Sequence, residues 1–175
     1  VAMASGRWQD AETLFARALE QLERTPETGD VEDVRRTTAT SFAEQADLVI
    51  AQGRASAAGP FYDKAIALLG QNHGDYDRGE LALALCGRGE AARRAGDLAA
   101  AGEHLTRARQ LQEPALKKDP GNAYARWILA RVLVELAALR ALEGSSEAAA
   151  EHHHAAQELA RALHGGEPTN KRYAL

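Results

Sequence analysis

The sequence predicts an all-α protein, an α-solenoid of antiparallel helical hairpins with about seven helices. Three observations carry that prediction. Four glycines, Gly6, Gly53, Gly96 and Gly144, each precede alanines at two fixed offsets. Hydrophobic residues make up 45% of the 175 positions, but aromatics only 5%, and much of the apolar content is alanine. Prolines number only five, and runs of β-branched residues are few. Such a chain packs helices closely through small side chains instead of building a large aromatic core.

The repeat is counted from the glycines. Five residues after each comes Ala11, Ala58, Ala101 and Ala149; twelve after each comes Ala18, Ala65, Ala108 and Ala156. Nine after each comes a larger residue: Phe15, Tyr62, Leu105 and His153. These offsets differ by four and three, so they lie near one face of a helix. The small residues let a second helix approach, and the large one between them fills the gap. The glycine ends one helix and allows a tight turn into the next.

The elements follow in chain order. The first unit, about 1–29, contributes the second helix of a hairpin at about 8–24. The next unit, about 30–74, holds a first helix at about 31–52, entered through Asp30, and its partner at about 55–70. "GQNHGDYDRG", residues 70–79, reads as a loop between repeats, with Asp77 starting the next helix. The unit of about 75–118 holds helices at about 77–95 and 97–117, and that of about 119–166 holds helices at about 121–143 and 146–164. "DPGN", Asp119 to Asn122, and "EPTN", Glu167 to Asn170, recur 23 residues past Gly96 and Gly144 (119 − 96, 167 − 144). Proline fits the first turn of a new helix, where its missing N–H costs nothing. A partial unit, 167–175, closes the sequence, and residues 1–175 read as one array. Residues 1–5 read as the tail of a helix and "EPTNKRYAL" as the start of another unit, so a longer native chain is expected.

The Gly–x4–Ala–x6–Ala pattern closed by "DPGN" resembles the tetratricopeptide repeat (TPR) family. "AARRAGDLAAAGEHLTRARQL", residues 91–111, is the best match, and "GRWQDAETLFARALEQL", residues 6–22, is nearly as good. The glycine spacings are 47 (53 − 6), 43 (96 − 53) and 48 (144 − 96) residues. The ordinary repeat is about 34 residues long, so longer helices are needed to absorb the difference. Those lengths also fit HEAT-like helical repeats, the alternative fold. Elongated repeats with "DPxN" between units look like those of large bacterial regulatory proteins, which implies a regulatory segment beside other domains.

Chemistry is sparse. No P-loop, G-x-S-x-G, H-E-x-x-H or kinase signature is present, so no enzyme activity and no cofactor are expected. Cys86 is the single cysteine, which excludes an intrachain disulfide, and it reads as a small buried or groove residue. The triplet His152, His153 and His154 is a poor metal site, because consecutive helical side chains are about 100° apart. Its register puts His153 in the bulky packing slot, His152 half-buried and His154 exposed beside Glu158. Arg93, Arg94, Arg107 and Arg109 read as a solvated helix face or a contact to an acidic partner. A net charge of −4 with interspersed signs offers no stripe for nucleic acid. No apolar run approaches the roughly 20 residues of a membrane span, and cytoplasmic location is the default.

The candidate site is the surface built from the first helices, which in the tetratricopeptide family binds extended peptides or helices. Counted back from each glycine, the three positions before are Ile50, Arg93 and Ala141, and the six before are Asp47, Glu90 and Ala138. The ten before are Ala43, Cys86 and Val134, and the thirteen before are Thr40, Leu83 and Arg131. Chaperone-binding members of the family grip a C-terminal carboxylate with lysine, asparagine and arginine at such positions. Here Asp47 and Glu90 hold the asparagine positions and Ala43 the lysine position, so that clamp is not expected. A groove acidic at Asp47 and Glu90 and basic near Arg93 and Arg131 suits a mixed-charge or amphipathic segment. The expected function is a protein-interaction scaffold or sensor, with a protein, a peptide or neighbouring domains of a longer chain as partner. Self-assembly through open array ends, giving a homo-oligomer, and small-ligand sensing are the alternatives.

Overall fold

The computed structural model describes residues 31–70 and 74–166, together with Thr13, Arg17 and Glu20, which are helical. The described residues form six helices and no strands. They are α1 (Val31–Ala51), α2 (Ala55–Leu69), α3 (Asp75–Arg94), α4 (Leu98–Lys118), α5 (Ala123–Leu142) and α6 (Ser146–Gly166). The helix expected at about 8–24, with Gly6, Phe15 and Asp30, otherwise lies outside the described residues. The expected partial unit at 167–175 lies outside them too. Each helix packs on the next in sequence, as antiparallel hairpins α1–α2, α3–α4 and α5–α6. In addition α3 touches both α1 and α5, so the first helices of successive hairpins form one layer.

The hairpin turns share one solution. Gly53, Gly96 and Gly144 have φ of 78°, 89° and 77°, a conformation that costs a residue with a Cβ about 1–2 kcal/mol. At each turn the glycine N–H bonds the carbonyl three residues back: Gly53 to Ile50, Gly96 to Arg93 and Gly144 to Ala141. The next residue's N–H bonds five back: Arg54 to Val49, Asp97 to Ala92 and Ser145 to Arg140. This is the paired closure of a Schellman motif, which satisfies helix-end carbonyls.

Side-chain caps start α4 and α5, whereas Arg54 and Gly74 before α2 and α3 make none. Asp97 accepts from the Ala100 N–H at 3.0 Å, and Asn122 from the Ala125 N–H at 2.9 Å. In "DPGN", Asp119 also accepts from the Gly121 N–H at 3.0 Å. Pro120 therefore lies in the turn before α5, not in its first helical turn, because Asn122 takes the cap. Asp77 is also corrected: α3 begins at Asp75 with Gly74 at its cap, and Asp77 sits inside the first turn. There its carboxylate is 1% exposed and receives Arg36 Nε of α1 at 2.6 Å.

The core follows the alanine offsets. Ala58, Ala65, Ala101 and Ala108 are fully buried, and Ala156 nearly so. Tyr62 and Leu105, in the slot between them, are also fully buried. Both reach α3 where it has no side chain. A Cβ on Gly87 would overlap the Tyr62 ring, and one on Gly89 would stand 2.6 Å from Leu105 Cγ. A glycine inside a helix costs about 0.5–1 kcal/mol relative to alanine, and here close packing offsets it.

His153 departs from its expected slot. It is exposed and bonds Gln157 across one turn at 3.1 Å, while Ala156 and Leu163 carry the burial. Among the described helices α6 packs extensively on α5 alone, so nothing closes over the ninth position. His152 is half-buried and His154 exposed, 3.9 Å from Glu158. Burial, reinforced by the charges of Arg109 and Arg140, lowers the His152 pKa.

Candidate functional site

The layer of α1, α3 and α5 carries all ten sequence-derived positions, but not all of them reach its surface. Thr40, Asp47 and Val134 are exposed, Val134 at 41%. Ala43, Leu83, Glu90, Arg93 and Arg131 are half-buried. Ile50 and Cys86 are buried and present nothing to a partner. Ile50 belongs to the packing between α1 and the Tyr62 region. Cys86 is 1% exposed, and burial pushes its thiol up to about 12, so it stays protonated and unreactive at neutral pH.

The charges of this layer are mostly paired. Arg93 donates from Nε and Nη2 to Glu135 Oε2 at 3.0 and 2.8 Å, tying α3 to α5. Arg94 pairs with Glu90 at 2.7 Å, one turn back on α3. The basic end expected near Arg93 is therefore neutralised within the fold. Of the arginine cluster, Arg109 likewise pairs with Glu113, at 2.5 Å. Asp47 accepts a hydrogen bond from the hydroxyl of buried Tyr62. Loss of hydration raises the Asp47 pKa, opposed by that hydrogen bond and by Arg131. Burial and the Asp47 charge push the Tyr62 phenol far above its ordinary value.

Beyond the predicted positions the same layer holds an aromatic ladder. Tyr76 of α3 stacks on Tyr124 of α5, with centroids 6.1 Å apart and planes at 15°. Tyr124 stacks on Trp127 at 6.0 Å and 20°. An arginine closes each end: Arg36 of α1 lies 5.8 Å from the Tyr76 centroid, and Arg131 lies 5.4 Å from that of Trp127. With Arg36 included, the ladder spans all three first helices. Gly79 makes room for it, because a Cβ there would stand 2.7 Å from Tyr124 Cε1. The Tyr124 hydroxyl donates to Glu80 on α3. Tyr76 remains 53% exposed.

The ladder lies on the same register as the ten predicted positions, further back from the turn glycines. Arg36 and Trp127 stand 17 residues before Gly53 and Gly144 (53 − 36, 144 − 127). Tyr76 and Tyr124 stand 20 before Gly96 and Gly144 (96 − 76, 144 − 124). Two tyrosines at one offset were the available signal. Among the described residues no group of three His, Cys, Asp or Glu converges as metal ligands, and no helix is long and apolar enough to cross a membrane. No protein-family model matches the chain, and no curated protein matches it significantly.

Proposed function

We propose that the chain is a protein-interaction module, a scaffold or sensor segment that takes a peptide or a partner domain on the face of α1, α3 and α5. The observation that carries this reading is the ladder of Tyr76, Tyr124 and Trp127, which joins α3 to α5 on a half-open surface and is capped by Arg36 of α1. Large aromatics in contact with solvent are the side chains that most often anchor a bound peptide. Val134 adds an exposed apolar contact on the same layer. We read the stacked hairpins as an α-solenoid of tetratricopeptide type, with this face concave and HEAT-like stacking as the alternative. The reading implies a binding role and no catalysis, within a larger regulatory chain of bacterial type.

Selection of a displayed random dodecapeptide library tests the face. Binders selected on the protein are expected to lose affinity for the Val134→Asn variant, which removes the apolar contact without adding charge at an exposed site. A set of binders indifferent to both Val134→Asn and Tyr76→Ala would remove the face from the account.

Self-assembly is favoured by a separate observation. Leu142, at the end of α5, is 59% exposed beside α6, which packs extensively on α5 alone among the described helices. Light scattering across concentrations tests it, and a strict monomer argues against it.

A further inference from the structure

We propose that the partner of this face is a basic segment, whose arginine or lysine side chain enters the cleft bounded by Asp33, Thr37, Thr40, Ser41, Glu44 and Tyr76. The inference rests on the interaction reading above and gives the partner its chemistry.

The cleft holds about 570 Å³ and opens on the α1 side of the aromatic ladder. Its walls combine two carboxylates, three hydroxyls and the half-open ring of Tyr76, at 53% exposure. Carboxylate and hydroxyl oxygens accept hydrogen bonds from an ammonium or guanidinium group; the Tyr76 ring, already stacked on Tyr124 and covered by Arg36, bounds the cleft as an apolar wall for the aliphatic stem. An anionic group would find no unengaged cation at this wall. The one cation lining the cleft, Arg36, already serves buried Asp77 at 2.6 Å, Glu32 at 2.5 Å and Asp33 at 3.2 Å.

The charge left over on the α1 side of the face is acidic. Arg93 is held by Glu135 and Arg94 by Glu90, while Arg131, over Trp127, keeps its charge and offsets Asp47 in part. On α1, Glu44 and Asp47 are exposed, and among the described residues neither makes an ion pair. They stand three residues apart and so lie along the same side of the helix, Glu44 open to solvent and Asp47 also accepting from Tyr62. A segment carrying cations complements that surplus, and an acidic one is repelled by it.

The test uses the library selection described above. Selected sequences are expected to be rich in arginine or lysine. Synthetic dodecapeptides made from them should bind the Glu44→Gln/Asp47→Asn double variant on the order of tenfold more weakly, with a similar loss as salt rises. Asp47→Asn retains an acceptor for Tyr62, and circular dichroism checks the fold. Should the double variant unfold, Glu44→Gln alone serves, since that side chain lies exposed. Peptides that need Val134 but lack cations, or ignore both carboxylates, would overturn the basic-segment inference and leave the interaction face standing. Peptides that bind without needing Val134 or Tyr76 would remove the face and this inference together.

Discussion

The ninth position after the turn glycine has two fates. In α2 and α4 it holds Tyr62 and Leu105, both fully buried. In α6 it holds His153, which faces solvent. The register is the same, and so is the flanking alanine pattern. What differs is company: α2 and α4 each lie between two helices, whereas α6 packs extensively on α5 alone among the described helices. A repeat determines the direction in which a side chain points. Whether anything stands there is decided by the neighbouring unit.

Substitutions can break that comparison. Leu105→Ala should cost about 2–5 kcal/mol in urea unfolding, because it opens a cavity between α3 and α4. A loss under about 1 kcal/mol would mean that the slot can collapse and is no anchor. Gly87→Val should cost about 1–3 kcal/mol despite removing a helical glycine, because the new side chain overlaps the Tyr62 ring. Gly102→Ala is its control: the new Cβ meets only Leu139 at 3.7 Å, so about 0.5–1 kcal/mol of stabilisation is expected.

Smaller effects sharpen the picture. Gly96→Ala has open space for its Cβ but a φ of 89°, so about 1–2 kcal/mol of strain is expected. His153→Ala should move stability by no more than about 0.5 kcal/mol, and a larger loss would restore the packing role. At Asp47, dehydration raises the folded pKa above the unfolded one. Its contribution is therefore fully present below the ordinary carboxylate pKa and lost as pH rises through the raised value. The melting temperature of Asp47→Asn should gain on the wild type as pH rises from about 4 toward neutrality. A gap that stays flat with pH would contradict the assigned burial cost.

Much of the fold was legible because it rests on short-range physics. Glycines recurring before alanine pairs marked the turns, and all three described ones adopt positive φ. The span expected at about 31–52 is Val31–Ala51, and that at about 121–143 is Ala123–Leu142. Asp77 was legible only in part. Its chain position suggested a helix start, but its partner, Arg36, lies 41 residues away. The face was half legible: offsets back from the glycine located Thr40, Asp47 and Val134, but gave no means of telling that Cys86 and Ile50 turn inward. The ladder was missed because the stacking of Tyr76 on Tyr124 joins two helices, and no local pattern announces it.

By itself the sequence determined the helices, their hairpin turns and the alanine seams, because each depends on a residue's own backbone preference or on neighbours three or four positions away. Only the tertiary structure decided which arginines were already taken, which slot was closed over, and where the three glycines of α3 admit Tyr62, Leu105 and Tyr124. Those outcomes depend on atoms many residues apart in the chain. Burial and ion pairing are properties of what lies opposite a residue, and no repeat register records that.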